Sequence, residues 1–180
     1  MINFPANDPP AERYLNTLAA PPCDVHRWYL PGHRILVGGS VVSSADWNHL
    51  VNDFGITHCL SLDARGREFI PGDRLIAVDV PDSGLPLAAA LLREACGRAR
   101  EVLLRNGEKL YVHDLMGAAR GSAFAYAILR GVLEKSHEEA IVAVNQGVPH
   151  SSGYHWGYND AARAHIGSVD LWIDEGGLGA

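Results

Sequence analysis

One stretch of this 180-residue chain, residues 109–122, constrains its fold more than any other feature. Residues 110–112 form a short apolar run with an aromatic and a β-branched side chain, which is typical of a buried strand. Residues 124–133 are apolar and rich in helix formers, so they predict a buried helix. The tight loop between them contains Gly117, small alanines and Arg120. Because backbone N–H groups and the helix dipole converge in such a loop, and an arginine can bind two oxygens, the stretch predicts an anion-binding site.

The rest of the chain alternates strand-like and helix-like segments. Local signals mark their ends: Ser43 or Ser44 can cap a helix that Gly55 terminates, and Ser136 with Glu139 forms the pattern of a capping box. Such an alternation predicts an α/β protein, with a mostly parallel central sheet and helices on both faces. The predicted elements are a β-hairpin at 27–30 and 34–37, strands at 56–63, 75–80 and 110–112, and helices at 45–54, 86–105 (with Pro86 in the first turn), 122–135, 137–145 and 159–166.

The length of the chain and the distribution of its prolines predict one domain with two flanking segments. A chain of 180 residues is long enough to bury one sizeable core. A cluster of prolines near the start makes residues 1–26 an N-terminal arm. Residues 27–147 carry the alternating pattern and are expected to form the domain itself, and residues 148–180 are expected to pack on it as a C-terminal extension.

The charge and cysteine patterns exclude several classes of partner. The net charge is −6 and no run of Lys or Arg occurs, which argues against a nucleic-acid groove or a basic membrane-binding surface. No apolar stretch approaches the roughly 18 residues of a membrane-spanning helix, and residues 1–7 lack the pattern of a secretory signal. The three cysteines are widely spaced and match neither a metal site nor a disulfide framework. We therefore expect a cytoplasmic protein without a metal or another cofactor.

The anion-binding stretch resembles the signature loop of the cysteine-dependent protein phosphatases, especially the dual-specificity group. The pattern of that family is His-Cys, two residues, Gly, two residues, Arg, and then Ser or Thr. His113, Gly117 and Arg120 stand at the matching positions. Two positions differ, because Asp114 occupies the place of the nucleophilic cysteine, and Gly121 the place of the hydroxyl residue that helps the cysteine leave as thiolate.

The resemblance covers about residues 27–147 and implies a dual-specificity phosphatase-like fold. The segment Gly55-Ile56-Thr57-His58, which leads into a core strand in that family, stands in the expected order relative to the loop. The resemblance implies that His113 orients the loop and that Asp82 stands in the position of the general acid, with Asp79 as a rival. The candidate catalytic residues are Asp114, Asp82 and Arg120. The implied phosphate-binding loop comprises His113, Asp114, Leu115, Met116, Gly117, Ala118, Ala119 and Arg120.

Asp114 has three interpretations. The chain is a natural pseudophosphatase, a phosphatase whose cysteine has been replaced by aspartate in this sequence, or an enzyme that uses the carboxylate as its nucleophile. A thiolate attacks phosphorus well at neutral pH because the loop lowers its pKa. A carboxylate can form an acyl-phosphate, but phosphatases that do so use a metal ion to neutralise charge, and the sequence shows no ligand pattern for one. Gly121 favours the first interpretation, because an engineered replacement would ordinarily change one residue.

We hypothesise that Asp114 itself fills the anion site. A carboxylate has two oxygens that can accept several N–H bonds from the loop, so it can act as a built-in mimic of phosphate. The expected geometry pairs Asp114 with Arg120. Charge repulsion alone does not exclude a bound phosphate, because the active family tolerates the same repulsion between thiolate and phosphate.

Two other groups of residues receive less specific interpretations. Asp63 and Arg65 follow a strand end on the same side of the sheet as the loop, and we expect them in a solvated loop. A group rich in histidine and aromatic residues near the C-terminus matches no usual spacing of zinc ligands, so it predicts a packing or interaction patch. This group comprises His150, His155, Trp156, Tyr158 and His165.

The function predicted from the sequence is that of an inactive phosphate-pocket protein that binds or regulates a partner. Its expected ligands are a phosphorylated protein or another phosphomonoester, or a protein docked on the C-terminal aromatic group. The alternative is an active phosphatase of phosphotyrosine, phosphoserine, phosphothreonine or another phosphomonoester. Neither a nucleic acid nor a membrane is expected as a partner.

Overall fold

The computed structural model describes residues 28–30, 34–83, 85–115, 119–147 and 160–179. The strands are β1 (Trp28–Leu30), β2 (Ile35–Gly38), β3 (His58–Ser61), β4 (Leu75–Ala77) and β5 (Leu110–His113). The helices are α1 (Ser44–Phe54), α2 (Ala89–Leu103), α3 (Arg120–Gly131), α4 (His137–Gly147) and α5 (Asp160–Asp174). Short 3₁₀ turns lie at Arg67–Phe69 and Gly177–Gly179. The predicted N-terminal arm, residues 1–26, lies outside the described residues.

A five-stranded sheet in the order β1-β2-β5-β3-β4 forms the centre of the molecule. β1 pairs antiparallel with β2, whereas the other neighbouring strands are parallel. His113 at the end of β5 is level with Gly38 on one side and Ser61 on the other, so these strands end at the same edge. The predicted α/β class, the hairpin and the mostly parallel sheet are confirmed.

The alternation of side chains along the strands divides the core into two apolar layers. In β5, Leu110 and Val112 face one layer and Tyr111 faces the other, and each of them is fully buried. Helix α1 covers the layer of Tyr111 with Trp47 and Leu50. Helices α2, α3, α4 and α5 cover the opposite layer. The prediction of helices on both faces is therefore confirmed.

Local signals set the ends of α1 and the start of α4. Ser43 caps α1 by accepting a hydrogen bond from the N–H of Asp46 at 3.1 Å, and Gly55 ends it in the left-handed conformation, with φ of 68°. In the predicted capping box, the Ser136 N–H donates to the Glu139 carboxylate at 2.9 Å, and the Glu139 N–H donates to the Ser136 hydroxyl at 3.2 Å. Both predictions are confirmed, because such motifs need only residues within about one turn.

The start of α2 corrects a prediction. The helix begins at Ala89, so Pro86 lies before it rather than in its first turn. Ala88 is extended, with ψ of 134°, and the N–H of Leu87 donates to Oγ of Ser168 at 2.9 Å. Because Ser168 belongs to α5, a tertiary contact holds the segment before α2 outside helical geometry.

Helix α5 corrects a second boundary, because it extends to Asp174, well past the predicted end at residue 166. Its Val169 and Trp172 are buried in the same layer as α2 and α3. The burial of these side chains stabilises helical turns whose local signals are weak. No helix among the described residues is both long enough and apolar enough to span a membrane.

Candidate functional site

The candidate site lies at the edge of the sheet where β3, β4 and β5 end. In a parallel sheet, the segments that follow neighbouring strands meet at this edge. The structure places Asp114 directly after β5 and Asp63 shortly after β3. Asp82, in the segment after β4, lies beside Arg120 at the start of α3. Side chains that are distant in the sequence therefore share one site.

Asp114 is held at the N-terminus of α3. It is buried, and its Oδ2 accepts a hydrogen bond from the N–H of Gly121 at 2.9 Å. Ser40, which follows β2, holds the adjacent backbone: its Oγ donates to the Asp114 carbonyl at 3.2 Å, and its N–H donates to the Leu115 carbonyl at 3.3 Å. A helix N-terminus stabilises a carboxylate through its N–H groups and its dipole. The carboxylate of Asp114 thus uses an N–H group of the predicted anion site.

Arg120 binds partners other than the predicted one. Its Nη1 donates to the carbonyl of Val80 at 2.7 Å, and its Nη2 donates to Oδ2 of Asp63 at 3.2 Å. Oδ2 of Asp82 lies 3.6 Å from the same Nη2. The hypothesis that Arg120 pairs with Asp114 is therefore wrong, because the guanidinium is directed to groups in the segments that follow β3 and β4.

Asp63 is a site residue, so the expectation of a solvated loop at this position is also wrong. Its side chain is 18% exposed, Oδ2 binds Arg120, and Oδ1 accepts a hydrogen bond from the Arg65 N–H at 3.0 Å. Burial raises the pKa of Asp63, but the hydrogen bonds and the charges of both arginines outweigh burial, and the pKa lies below its ordinary value. The parallel pairing of β3 with β5 brings this carboxylate next to α3.

A cavity of about 310 Å³ opens beside Arg120. Asp79 and Asp82 both line this cavity, but they have different partners. The Asp79 side chain is 80% exposed and pairs with Arg67 at 2.8 Å, whereas Asp82 lies beside Arg120. Of the two rivals for the acid position, the structure brings Asp82 to the arginine of the loop. The cavity is lined by Leu62, Asp63, Ala64, Asp79, Val80, Pro81, Asp82 and Arg120.

His113 is buried beneath the loop. Its ring stacks on the ring of Tyr111 with centroids 5.7 Å apart, and its Nδ1 lies 3.4 Å from the carbonyl oxygen of Asp114. The hydroxyl of Tyr111 donates to the carbonyl of Gly39 at 2.5 Å. These contacts hold the ring against the loop backbone. Among the other predicted loop residues, Leu115 and Ala119 are partly buried, and Met116, Gly117 and Ala118 lie outside the described residues.

His165 on α5 lies within electrostatic range of the site residues, although the sequence pattern placed it in the aromatic patch near the C-terminus. It is 3% exposed. Burial lowers its pKa, a hydrogen bond to the backbone of Leu85 acts in the opposite direction, and the charges that act on it are those of Arg120, Asp114 and Asp82. No local pattern could have shown this, because it depends on the packing of α5 on α3. The rest of the predicted patch, His150, His155, Trp156 and Tyr158, lies outside the described residues.

The part of the chain that the structure describes brings no thiol to this cavity. Cys59 is buried in the layer covered by α1, and Cys96 is buried in the opposite layer, where burial raises its pKa. Within the same part of the chain, no group of three or more His, Cys, Asp or Glu side chains is placed to hold a metal ion. Among the described residues, the groups at or near the site are carboxylates, a guanidinium, an imidazole and backbone N–H groups.

Comparisons with known proteins agree with the fold. No family model and no curated protein sequence matches the chain. Human DUSP28 has a similar structure, with a TM-score of 0.63 at 19% identity over 86% of this chain and 97% of that one. The human tyrosine phosphatase-like serine/threonine/tyrosine-interacting protein gives 0.62 at 15% identity, over 83% and 96%. PTPMT1 in complex with PI(5)P gives 0.61 at 17% identity, over 79% and 94%. At these identities the likeness is one of fold, and the fold is that of the dual-specificity phosphatases.

Proposed function

We propose that this protein is a pseudophosphatase, a dual-specificity phosphatase-like domain that binds or regulates a partner without hydrolysing phosphomonoesters. The observation that carries the proposal is the hydrogen bond of 2.9 Å from the N–H of Gly121 to Oδ2 of Asp114. An acid stands where the resemblance expects the nucleophilic thiolate. This acid also occupies an N–H group at the start of α3 that would otherwise be available to a phosphoryl oxygen.

Asp114 is poorly suited to attack phosphorus. A carboxylate that accepts a hydrogen bond from a helix N-terminus is stabilised as the anion, which lowers its nucleophilicity. The hydroxyl that helps a thiolate leave is also missing, because Gly121 takes its place. A Cβ at Gly121 would lie 3.8 Å from Oδ2 of Asp114 and 3.2 Å from a methyl group of Val37. The missing side chain would therefore have faced the acid.

The guanidinium of Arg120 already has hydrogen-bond partners within the protein. Its terminal nitrogens bind the Val80 carbonyl and Asp63, and Asp82 lies 3.6 Å away. A phosphoryl dianion would have to displace these groups and then lie among carboxylates. Two unit charges about 4 Å apart repel by roughly 4 kcal/mol at an effective dielectric constant near 20. A phosphomonoester that binds in this pocket therefore needs compensating positive charge from the protein or from the partner that carries it.

The ligand in this proposal is a phosphorylated protein or another phosphomonoester, or a protein partner. Among structures of the same fold, PTPMT1 forms a complex with PI(5)P, and a second protein is named as a phosphatase-like interacting protein. Both names support a phosphomonoester-binding or partner-binding role for a domain of this fold. A cytoplasmic location belongs to the same proposal.

The alternative is an active phosphatase whose cysteine has been replaced by aspartate in this sequence. The observation in its favour is the position of Asp82, whose side chain is 73% exposed and lies 3.6 Å from Nη2 of Arg120. A carboxyl group beside the loop arginine is placed to protonate a leaving oxygen.

Turnover of an aryl phosphate separates these two functions. The proteins to compare are the native chain, Asp114→Cys, Asp114→Cys/Gly121→Ser, and Arg120→Ala as the background, each checked for folding by circular dichroism. The proposal expects no turnover above the background from the first three proteins, because Arg120 stays bound to Asp63. Brisk turnover by Asp114→Cys would support the alternative, and turnover by the native chain that is lost in Arg120→Ala would contradict both.

A further inference from the structure

A second cavity, of about 530 Å³, opens at the opposite edge of the sheet. Its lining residues His58, Arg74 and Glu108 stand at or shortly before the first residues of β3, β4 and β5, whereas the cavity beside Arg120 lies where these strands end. The four residues of β3 span about 13 Å at roughly 3.3 Å per residue, so the two cavities are separate. We call the second one the amino-edge cavity. Its volume is within the range of about 300–1,000 Å³ that is typical of small-molecule sites.

Two guanidinium groups in the wall of the amino-edge cavity are available to a ligand. Arg74 and Arg105 both line the cavity, and neither side chain makes a hydrogen bond or an ion pair with any residue that the structure describes. Arg120 differs from them, because its guanidinium binds the Val80 carbonyl and Asp63. The donors of an arginine match the oxygens of a phosphate or a carboxylate.

The two cavities differ in charge. The cavity beside Arg120 is lined by one guanidinium and three carboxylates. The amino-edge cavity is lined by two guanidiniums and by the carboxylates of Asp73 and Glu108. Lys109 adds a third cation at its wall, because Nζ would lie 3.6 Å from a Cβ at Gly55, which also lines the cavity. An anion is therefore attracted to the amino-edge cavity rather than to the one beside Arg120.

The pairing of the strands places Arg74 beside His58. His58 is level with Leu110 of β5, and Cys59 is level with Leu75 of β4. Arg74 directly precedes Leu75, so it is level with His58 and on the same face of the sheet. The N–H of Cys59 donates to the Arg74 carbonyl at 2.8 Å, so the pairing continues to this residue. Because neighbouring strands are about 5 Å apart, both side chains reach the same cavity.

The turn between α2 and β5 brings Arg105 to the other side of His58. Nη1 of Arg34 donates to the carbonyls of Arg105 and Glu108 at 2.9 and 3.1 Å, which fixes this turn. Oε2 of Glu108 lies 3.3 Å from Nδ1 of His58, so the turn stands directly beside the ring. Three basic side chains therefore line one cavity from three adjacent strands.

The contacts of His58 leave Nε2 for a ligand. The single hydroxyl proton of Thr57 is donated to the carbonyl of Lys109 at 2.9 Å. Nδ1 of His58 lies 3.1 Å from the same hydroxyl oxygen, so Nδ1 is the donor of that contact, and the nearby Glu108 carboxylate favours a proton there as well. Nε2 makes no hydrogen bond to any described residue and is not among the buried atoms without a partner. It is therefore accessible.

We propose that the amino-edge cavity is a second binding site, which takes the phosphate group of a phosphomonoester between Arg74 and Arg105, with Nε2 of His58 as a third contact. The inference goes beyond the proposed function and does not depend on it, because the two cavities share no residue. Nε2 accepts a hydrogen bond from the acidic proton of a phosphate monoanion or, when it is protonated, donates one to the dianion. No bond of the ligand is broken.

The arrangement favours a phosphate over a carboxylate. A carboxylate presents two oxygens in one plane, which suits a single guanidinium. A phosphomonoester has three terminal oxygens that point in different directions, so it can bind two guanidiniums on opposite sides and a ring nitrogen as well. Its second negative charge also increases its attraction to the basic side chains.

Two probes represent the possible sources of such a phosphate. Glycerol 3-phosphate represents a small molecule, and a short peptide with one phosphoserine represents a phosphorylated protein. The matched control ligand is the same peptide with glutamate in place of phosphoserine. Titration calorimetry measures the affinities. We expect at least one of the two phosphomonoesters to bind, and the tighter of them identifies the source, whereas the glutamate peptide should bind at least about tenfold more weakly than the phosphopeptide.

Arg74→Gln and Arg105→Gln test the residues, and Arg93→Gln is the matched control. Arg93 is exposed on α2 and does not line the amino-edge cavity, so its substitution removes the same charge elsewhere. We expect the first two substitutions to weaken binding by about tenfold each, and the control to change it by less than about twofold. Because neither guanidinium has a described partner, these variants should stay folded, which circular dichroism checks.

Amide resonances followed by NMR locate the bound probe. We expect those of His58 and Arg74 to shift and that of Gly121, at the start of α3, to stay in place. The inference is overturned if neither phosphomonoester binds at millimolar concentration, or if only Gly121 and its neighbours shift. It is also overturned if the glutamate peptide binds as tightly as the phosphopeptide, or if binding survives in Arg74→Gln/Arg105→Gln as an adventitious ion only. The turnover assay decides the proposed function separately.

Discussion

Asp114 and Arg120 belong to one loop, yet their side chains bind different partners. Oδ2 of Asp114 accepts a hydrogen bond from Gly121, and the guanidinium of Arg120 binds the Val80 carbonyl and Asp63. The buried carboxylate of Asp114 and the buried guanidinium of Arg120 therefore each have a partner of their own. These partners stabilise the two charges in the absence of a ligand. At the scale of single residues, the described charges of this pocket are therefore compensated within the protein.

Replacing Asp63 by Asn is expected to destabilise the protein by about 1–3 kcal/mol. The buried guanidinium of Arg120 would lose a charged partner, and an amide oxygen compensates it less well. Urea unfolding measures the change. The matched control is Asp79→Asn, whose highly exposed side chain pairs with Arg67, and which should change stability by less than about 1 kcal/mol. Equal effects of the two substitutions would contradict this description of Arg120.

At the scale of elements, α5 packs against and stabilises α3, the helix that begins at the site. The hydroxyl of Tyr126 on α3 donates to Oδ1 of Asp170 at 2.5 Å, and Arg130 lies 3.4 Å from the same carboxylate oxygen. At the end of α3, Gly131 lies directly against the ring of Trp172. These contacts hold α3 and α5 at a short distance.

Gly131→Ala is expected to destabilise the protein by about 1–3 kcal/mol. The added Cβ would approach two ring carbons of Trp172 to 2.8 and 2.9 Å, so the indole or the helix must shift. Thermal and urea unfolding measure the effect.

The matched control for this substitution is Gly167→Ala in α5, where nothing lies within 4 Å of the added atom. Because alanine is the better helix former, this variant should be more stable by about 0.5–1 kcal/mol. A Gly131→Ala protein as stable as the native one would show that α3 and α5 are not in close contact.

At the scale of the whole molecule, the fold brings several acidic groups together at one edge of the sheet, where their mutual repulsion is unfavourable. The parallel strands end at one edge and bring Asp63, Asp82 and Asp114 there, in a chain whose net charge is already −6. Arg120 and Arg65 lie beside Asp63, Arg120 also lies beside Asp82, and the charges of Asp114 and Asp82 act on the buried His165. The stability of the molecule should therefore depend on pH through these groups.

We expect the free energy of unfolding to fall in two steps as the protein is acidified. Burial lowers the pKa of His165 in the folded state below its ordinary 6.5, so the unfolded chain binds more protons in that range. Stability present above about pH 6.5 is then lost as the pH falls through the folded pKa, by up to about 1.4 kcal/mol per pH unit.

The second step belongs to Asp63 and lies at lower pH. Burial raises its pKa but is outweighed by hydrogen bonds and arginine charges, so its folded pKa lies below 3.8. Its contribution is present above pH 3.8 and is lost as the pH falls through the folded value. Urea unfolding across this pH range, without added anions, measures both steps. His165→Gln should abolish the upper step alone, and an upper step that persists in this variant would contradict the assignment.

The sequence alone determined the features that depend on neighbours within a turn or a strand. The hairpin, the cap at Ser43, the capping box at Ser136 and the strand–loop–helix order around Asp114 all follow from local residue patterns. The α/β class follows as well, because the alternation of strands and helices leaves few ways to bury their apolar faces. The presence of Asp114 directly after the strand is likewise a property of the sequence, and only the resemblance to the phosphatase signature predicts that this is the position of a nucleophile.

Only the tertiary structure decided which groups the loop meets. Arg120 binds Asp63 and Val80, which are 57 and 40 residues away in the chain, and the charges of Asp114 and Asp82 act on His165 of α5. A residue pattern shows which face of a strand or helix is buried, but it does not show which other element will cover that face. The order of strands in the sheet and the packing of α5 on α3 settle that question, because burying the apolar layers selects one arrangement for the whole chain.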